Sequence, residues 1–220
     1  MVTALMLREG VSFCRIGEQH IFLDLQTDRY FGLGRSVDQA LARDLLEGSS
    51  TEIVRDALLQ AGVLSDADGL SLTACGKRPA SRALPLPPRA SHRSVLWALT
   101  QRLRWSLILH QAPLAQCVSR LQQRREQLPT GVTTSDAKLS ALAELGRSYR
   151  QAGLIWSEYG RCLATSLALA DEAIGIGVPA QLVFGIQLGP FQAHCWVEVQ
   201  GMLVSERADR VAPFTPILVT

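Results

Sequence analysis

A cysteine and a histidine stand 32 residues apart in settings that suit a nucleophile and its base. After Cys162, apolar residues recur at helical spacing at positions 163, 167, 170 and 174, so the sulfur is predicted to lie in the first turn of a helix. Free backbone N–H groups in a first turn stabilise an anion, and a nearby imidazole stabilises a thiolate further. Cys162 is therefore a candidate nucleophile.

His194 lies on a segment that is predicted to be extended. The run from Phe191 to Val199 is followed by a turn signal, Gln200-Gly201, and by the short apolar run Met202–Val204, which together predict a β-hairpin. A helix that carries the thiol, followed by a strand that carries the imidazole and a second strand, suits a papain-like core.

The remaining cysteines indicate neither a disulfide framework nor a metal site. The five cysteines are odd in number and include no Cys-x-x-Cys pair. Because Cys195 directly follows His194, strand alternation points it to the opposite face, so Cys162, His194 and Cys195 do not form a zinc site. We expect no metal and no cofactor.

Composition and charge exclude several classes of protein. No apolar run approaches the roughly 18–20 residues that span a bilayer, and residues 1–10 lack the pattern of a secretion signal, so a cytoplasmic location is expected. Residues 1–76 hold six arginines and eleven acidic residues, a net charge of −5, whereas residues 77–104 hold seven basic residues and no acidic ones. The acidic first part argues against nucleic-acid binding, which needs clustered Lys and Arg.

Two domains of α+β class are predicted, residues 1–76 and 93–220, joined by a Pro- and Arg-rich linker at residues 77–92. In the first domain we predict three short strands followed by two or three helices, an arrangement like that of a winged helix. The predicted strands are Val11–Ile16, His20–Leu25 and Tyr30–Leu33.

In the second domain, three helices are predicted before the cysteine helix and three strands after it. The first of these helices carries an apolar stripe, as an amphipathic helix does, made of Val95, Leu96, Leu99, Leu103 and Leu107. The predicted helices are Ser94–Leu109, Pro113–Leu128 and Ser135–Tyr149, and the predicted strands are Val178–Leu188, Gln192–Val199 and Met202–Ser205.

Four short motifs carry a resemblance to known families. Residues 22–25, Phe-Leu-Asp-Leu, and 30–33, Tyr-Phe-Gly-Leu, resemble the hallmark of PqqD-like recognition elements, which bind the leaders of ribosomally made peptides. Residues 162–169, CLATSLAL, and 193–198, AHCWVE, resemble the cysteine helix and histidine strand of transglutaminase-like cysteine peptidases. In this order they are similar to the fused B proteins of lasso-peptide biosynthesis, over nearly the full length.

The resemblance implies a PqqD-like, winged-helix-like domain followed by a papain- or transglutaminase-like peptidase domain, with one departure. The family usually completes a Cys-His-Asp triad with an aspartate where this chain has Glu206, twelve residues after His194. A carboxylate at this place holds the imidazole in its productive tautomer. We expect Glu206 to take this role, because register places it at the end of the hairpin strand. Asp209 is the alternative.

By resemblance, the first domain binds a leader peptide as an added strand. The third strand would receive the peptide, and the helix that includes residues 56–60 would form the other wall. The expected binding residues are Tyr30, Phe31, Gly32, Leu33, Asp56 and Gln60.

The implied function is a leader peptidase that hydrolyses the bond between leader and core through a thioester on Cys162. The implied partners are the precursor leader and a separate asparagine-synthetase-like cyclase, which uses ATP to close the released core into a lasso. Two alternatives remain open. The second domain could pass the acyl group to an amine instead of water, or the chain could be a catalytically weak scaffold that delivers precursor to the cyclase.

Overall fold

The structure is a computed structural model that describes residues 6–49, 51–64, 70–129, 135–155 and 162–220. The chain divides into two compact units. The first ends at Lys77 and also includes Pro216–Leu218, and the second comprises Arg78–Thr215 with Val219 and Thr220.

The first unit combines a three-stranded antiparallel sheet with two helices. The strand order in this sheet is β2-β3-β4, and β1 pairs separately with β5. The elements are β1 Met6–Leu7, β2 Val11–Ile16, β3 Gln19–Asp24, β4 Arg29–Gly32, α1 Arg35–Glu47, α2 Glu52–Gln60 and β5 Leu70–Ser71.

Aromatic side chains on one face of this sheet form the centre of the first core. Phe13 and Phe22 stack with their ring centroids 5.1 Å apart, and Phe22 stacks on Phe31 at 5.4 Å. The buried residues Leu41 of α1 and Leu58 of α2 belong to the same cluster. Alternation along the strands and helical spacing along α1 and α2 thus bring their apolar faces together.

The rest of the chain forms four long helices and a five-stranded sheet of order β10-β7-β8-β9-β6, all of it in the second unit except Pro216–Leu218 of β10. The helices are α3 His92–Gln111, α4 Leu114–Glu126, α5 Asp136–Ile155, α6 Cys162–Gly175 and the short α7 Ala208–Val211. The strands are β6 Arg82–Ala83, β7 Gln181–Gln187, β8 Gln192–Val199, β9 Met202–Leu203 and β10 Thr215–Val219.

Helix α6 is the central helix of the second unit. It is apolar on nearly every side and is buried from Ala164 to Ala170, as expected for a helix surrounded by other elements. The hydroxyl of Ser166 donates a hydrogen bond to the carbonyl oxygen of Cys195 at 2.7 Å, and both residues are buried. This bond fixes α6 against β8, the two elements that carry the thiol and the imidazole.

The α+β class is confirmed, and three elements of the second unit were not predicted: β6, α7 and β10. Strand β6 lies within the segment expected to be a linker and pairs in parallel with β9. The backbone N–H of Leu84 also donates to the carbonyl of Leu203 at 2.8 Å. Part of the expected linker is therefore built into the sheet.

The leucine stripe of α3 does not face the core. Leu96, Leu103 and Leu107 are 64 %, 48 % and 55 % exposed, whereas Val95 and Trp105 are buried. The side that packs against α5 and α6 also includes Ala98, Gln101 and Arg102. Helical spacing predicted the helix correctly, but tertiary packing selected a different face.

Within the described part of the chain, no helix combines the length and the hydropathy that crossing a bilayer requires.

Gly146 permits α5 to lie close to the chain that follows β9, because a Cβ atom there would overlap the carbonyl oxygen of Val204. We predict that Gly146→Ala lowers the free energy of unfolding of the second unit by about 1–3 kcal/mol through overpacking against backbone. Chemical denaturation followed by tryptophan fluorescence measures this, since all four tryptophans lie beyond Lys77.

The control for this prediction is Gly175→Ala. A Cβ atom at Gly175 would have its nearest neighbour, Nη2 of Arg124, at 3.9 Å, which is an ordinary contact. Its effect on the free energy of unfolding should stay within about 1 kcal/mol. Equal stabilities of the two variants would contradict the proposed close approach.

Candidate active site

Cys162 is the first residue of α6 and is partly exposed, so its thiol is accessible while its backbone belongs to a buried helix. The N-terminus of a 14-residue helix carries partial positive charge, which stabilises a thiolate. This is the position that the helical spacing after Cys162 predicted. The structure therefore presents an accessible sulfur at the N-terminus of a buried helix.

His194 is brought to Cys162 by strand β8. The Cys162 thiol lies close enough to the imidazole to raise its pKa, and Nε2 of His194 lies 3.6 Å from Oε1 of Glu206. The side chains of His194 and Glu206 are only 14 % and 12 % exposed. The β8–β9 hairpin turns at Gln200 and Gly201, both with positive φ, as the sequence predicted.

The surroundings of His194 raise its pKa from the ordinary 6.5 to about 9. Burial by itself lowers the pKa, but the adjacent thiol of Cys162 and the carboxylate of Glu206 together outweigh it. The imidazole therefore favours its protonated form, which can pair with a thiolate on one side and a carboxylate on the other.

Glu206 is held in its charged form by several cations. Burial raises its pKa. The neighbouring imidazole of His194 and the charges of Arg210 and Arg150 lower the pKa by a larger amount, so the net shift is downward. Nη1 of Arg210 lies 4.0 Å from Oε2 of Glu206. Arg150 lies one turn beyond Gly146 on α5, so the close approach at Gly146 also brings this arginine toward the carboxylate.

Asp209, the alternative acid, lies elsewhere. Its side chain is 63 % exposed, and its two carboxylate oxygens accept hydrogen bonds from Nε and Nη2 of Arg207, both at 2.9 Å. The hydrogen bond from Arg207 lowers the pKa of Asp209. The structure thus brings Glu206 to His194 and leaves Asp209 paired at the surface.

Two aromatic rings lie against the imidazole. The ring of Trp196 lies on the same face of β8 as His194, as alternation along a strand requires, with a centroid separation of 5.9 Å. Phe214 lies 5.2 Å from the imidazole, and no local pattern indicated it, because it reaches the site from the segment before β10. Arg150 was missed because it lies on the distant helix α5, and Arg210 was missed because the short helix α7 was not predicted.

Cys195 is buried and is not part of the exposed thiol site. Burial, and then the charge of Cys162, raise its pKa well above the ordinary value. In the described residues, no group of three or more His, Cys, Asp or Glu side chains could hold a metal ion.

The predicted peptide-binding residues lie in the first unit. Tyr30, Phe31 and Gly32 belong to β4, an end strand of its sheet, and Leu33 follows directly. Asp56 and Gln60 lie on the exposed side of α2. A cavity of about 370 Å³ adjoins the end of β4, and Gly32, Leu33, His20, Arg35 and Asp38 are among the residues that line it.

The arrangement of Cys162, His194 and Glu206 can perform nucleophilic catalysis. A thiolate at a helix N-terminus, an imidazole that gives and takes a proton, and a carboxylate that orients the imidazole are the three parts that acyl transfer requires. The backbone N–H of Cys162 is one donor available to an oxyanion.

Comparison with known proteins agrees with this geometry. Residues 107–219, which include all three side chains, match the family described as the transglutaminase-like superfamily. No curated protein matches the chain, and no solved structure matches it either.

We predict that Glu206→Gln lowers the pKa of His194 from about 9 toward its ordinary 6.5, because the neighbouring negative charge is removed. Titration of the imidazole signals by NMR measures the shift, and the His194→Gln protein assigns the signal. Asp209→Asn is the matched control and should leave the pKa of His194 unchanged, since that carboxylate is exposed and paired with Arg207.

Stability should show the same linkage. The folded-state pKa of His194 is raised, so its interaction with Glu206 contributes stability that is complete below pH 6.5 and is lost as the pH rises through about 9. The difference in unfolding free energy between the wild type and Glu206→Gln should therefore be larger near pH 6 than near pH 10. A difference that is independent of pH would contradict the ion pair.

Proposed function

The chain belongs to the transglutaminase-like superfamily, and from this membership and the geometry of Cys162, His194 and Glu206 we propose that it is a cytoplasmic cysteine peptidase that removes leaders from lasso-peptide precursors. The observation that carries the peptidase activity is the accessible thiol at a helix N-terminus beside a half-buried, protonated imidazole. The finer assignment rests on the resemblance of both parts of the sequence to lasso-peptide B proteins.

The reaction begins with attack of the Cys162 sulfur on the carbonyl carbon between leader and core. The thiol proton resides on His194, and the carbonyl oxygen becomes an oxyanion that the N–H of Cys162 stabilises. His194 then donates its proton to the departing amine nitrogen, and a thioester remains on Cys162. Water attacks the thioester, gives a proton to His194 and releases the leader as a carboxylic acid, while the proton returns to sulfur.

Glu206 supports both proton transfers without itself accepting a proton. Its carboxylate lies 3.6 Å from Nε2 of His194, so the other ring nitrogen is left to serve the thiol. Its lowered pKa keeps it charged while the imidazolium forms. Glutamate thus supplies the charge that aspartate usually supplies in the family that the chain resembles.

Capture of the leader is assigned to the first unit. An end strand offers main-chain groups to an extended peptide, and pockets beside it select side chains. The backbone N–H of Leu25 donates to the carbonyl of Gly10 at 2.9 Å, which sets the alternation of the β2–β3 ladder. The register of β3 with β4 continues this alternation, so the N–H of Gly32 points away from β3, toward the open side of β4. An added strand would lie on that open side.

Tethering by the first unit would raise the local concentration of the scissile bond at Cys162. The product of this step is a free core peptide, which the ATP-dependent, asparagine-synthetase-like cyclase expected by resemblance would close. The precursor leader and that cyclase are the proposed partners, and the net charge of −5 on residues 1–76 argues against nucleic acid as a ligand of the first unit.

We predict that Cys162→Ala abolishes cleavage of a precursor peptide, because it removes the thiol that lies beside His194. The substrate is a synthetic precursor peptide that carries a leader and a core, and mass spectrometry follows the separated leader and core. Cys75→Ala is the control, since Cys75 is also a partly exposed free thiol but lies in the first unit. Cleavage that persists in Cys162→Ala would exclude the assigned nucleophile.

The same assay separates hydrolysis from acyl transfer when methylamine is added. A leader that ends in a carboxylic acid indicates hydrolysis, whereas a leader that ends in a methylamide indicates transfer to an amine. Transfer as the main outcome would favour the acyltransferase activity that the superfamily also includes.

We predict that Gly32→Pro weakens leader binding about tenfold, because proline removes the main-chain donor that faces the open side of β4. Gly32→Ala is the matched control. A Cβ atom at this position meets Cδ1 of Ile21 at 3.4 Å and the carbonyl oxygen of His20 at 3.6 Å, which are ordinary contacts. Fluorescence anisotropy of a labelled leader measures both affinities, and equal affinities would contradict strand addition at β4.

A further inference from the structure

Gly185 and Trp196 stand in a fixed relation to His194 through the β7–β8 ladder. Gly185 is the register partner of His194, and Val183 is the partner of Trp196. Because side chains alternate along each strand, His194, Trp196 and Glu198 share one face of β8 with position 185 of β7. Any side chain at position 185 would project into the space beside the imidazole.

The indole of Trp196 fills the space that Gly185 leaves open. A Cβ atom at position 185 would lie 2.6 Å from both Cη2 and Cζ3 of Trp196 and 3.1 Å from Cβ of Phe214. These neighbours belong to a rigid ring and to the base of a second side chain, so neither moves aside easily. A glycine within a strand often marks such a close approach.

Glu198 anchors the other end of the indole. Nε1 of Trp196 donates a hydrogen bond to Oε1 of Glu198 at 2.8 Å, and both side chains are almost completely buried. The backbone N–H of Ala80 donates to the same oxygen at 3.2 Å. The carboxylate is thus held by the segment before β6 and fixes the rotation of the indole about its Cβ.

The anchored indole and Phe214 restrict the imidazole. The ring centroids of His194 and Trp196 are 5.9 Å apart with an interplanar angle of 30°, and those of His194 and Phe214 are 5.2 Å apart at 42°. Trp196 and Phe214 are themselves 6.5 Å apart. The imidazole therefore contacts two rings that also contact each other, which limits its rotation and its access to water.

We propose that Trp196 is a positioning residue for His194, with Gly185 providing its space and Glu198 its anchor, so that the imidazole stays between Cys162 and Glu206. This inference rests on the proposed function only in taking His194 as the base. It gives Gly185 and Glu198 a role in the site that acts through Trp196. It also makes the segment at Ala80 a support of the site.

The test compares Trp196→Phe and Gly185→Ala with the wild type in two measurements. The first is the pKa of His194 by NMR, and the second is the rate of alkylation of Cys162 by iodoacetamide as a function of pH, resolved by peptide mass. A freed imidazole should lose part of its contact with Cys162 and Glu206. We expect its pKa to fall from about 9 toward 6.5 and alkylation near pH 7 to slow about tenfold or more.

Variants at Glu198 show whether the anchor acts through the hydrogen bond. Glu198→Gln keeps an oxygen acceptor for the indole N–H and should retain the wild-type pH profile, whereas Glu198→Leu should behave like Trp196→Phe. Gly175→Ala is the control glycine, because a Cβ atom there makes only an ordinary contact. Circular dichroism and melting curves identify the variants that remain folded.

A folded Trp196→Phe protein with an unchanged pKa of His194 and an unchanged alkylation profile would overturn the proposal. If Gly185→Ala does not fold, Glu198→Leu takes its place, and an unchanged pKa and alkylation profile in that variant would also overturn the proposal. Neither measurement uses a peptide substrate. Failure of the wild type to cleave any precursor would therefore count against the proposed function, while an altered pH profile in these variants would still support the positioning role.

Discussion

A protonated imidazole in a half-buried position depends on the negative groups beside it. Burial alone would lower the pKa of His194 and favour a neutral imidazole. The carboxylate of Glu206, 3.6 Å away, and the thiol of Cys162 reverse this balance. Because a carboxylate is itself costly to bury, Glu206 needs Arg150 and Arg210 in turn. The charges of the site thus determine which side chains must surround it.

Close backbone contacts hold these charges in place. Gly146 lets α5 approach Val204, two residues before Glu206, and Gly185 lets an indole lie beside His194. The bond from Ser166 to the carbonyl of Cys195 fixes the helix of the thiol against the strand of the imidazole. Each of the three side chains is therefore carried on a segment whose position is set by packing or by a hydrogen bond. An active site needs such support, because small displacements of its catalytic groups lower the reaction rate.

The sequence predicted the parts of the fold that local pattern determines. Strand β8 appears with the predicted bounds, and the helix predicted to hold Cys162 in its first turn begins at that residue. Strands β6 and β10 were not predicted. Strand β6 has only two residues, and each of the two strands is defined by its partner in the sheet. The face of α3 was misjudged, since burial of Arg102 depends on neighbours that no local pattern shows. Phe214 and Arg150 reach the site from distant segments for the same reason.

Glutamate at position 206 fits the backbone that supports it. Its Oε1 atom faces His194 at 3.6 Å, and its Oε2 atom faces Arg210 of α7 at 4.0 Å, so both oxygens are used. A shorter aspartate could serve both partners only if the chain moved toward them. The chain has little freedom to move there, because Val204, two residues before position 206, packs closely against α5 at Gly146. The additional methylene therefore spans a distance that the packing of α5 fixes, and the departure from the usual aspartate keeps the charge while it accommodates this backbone.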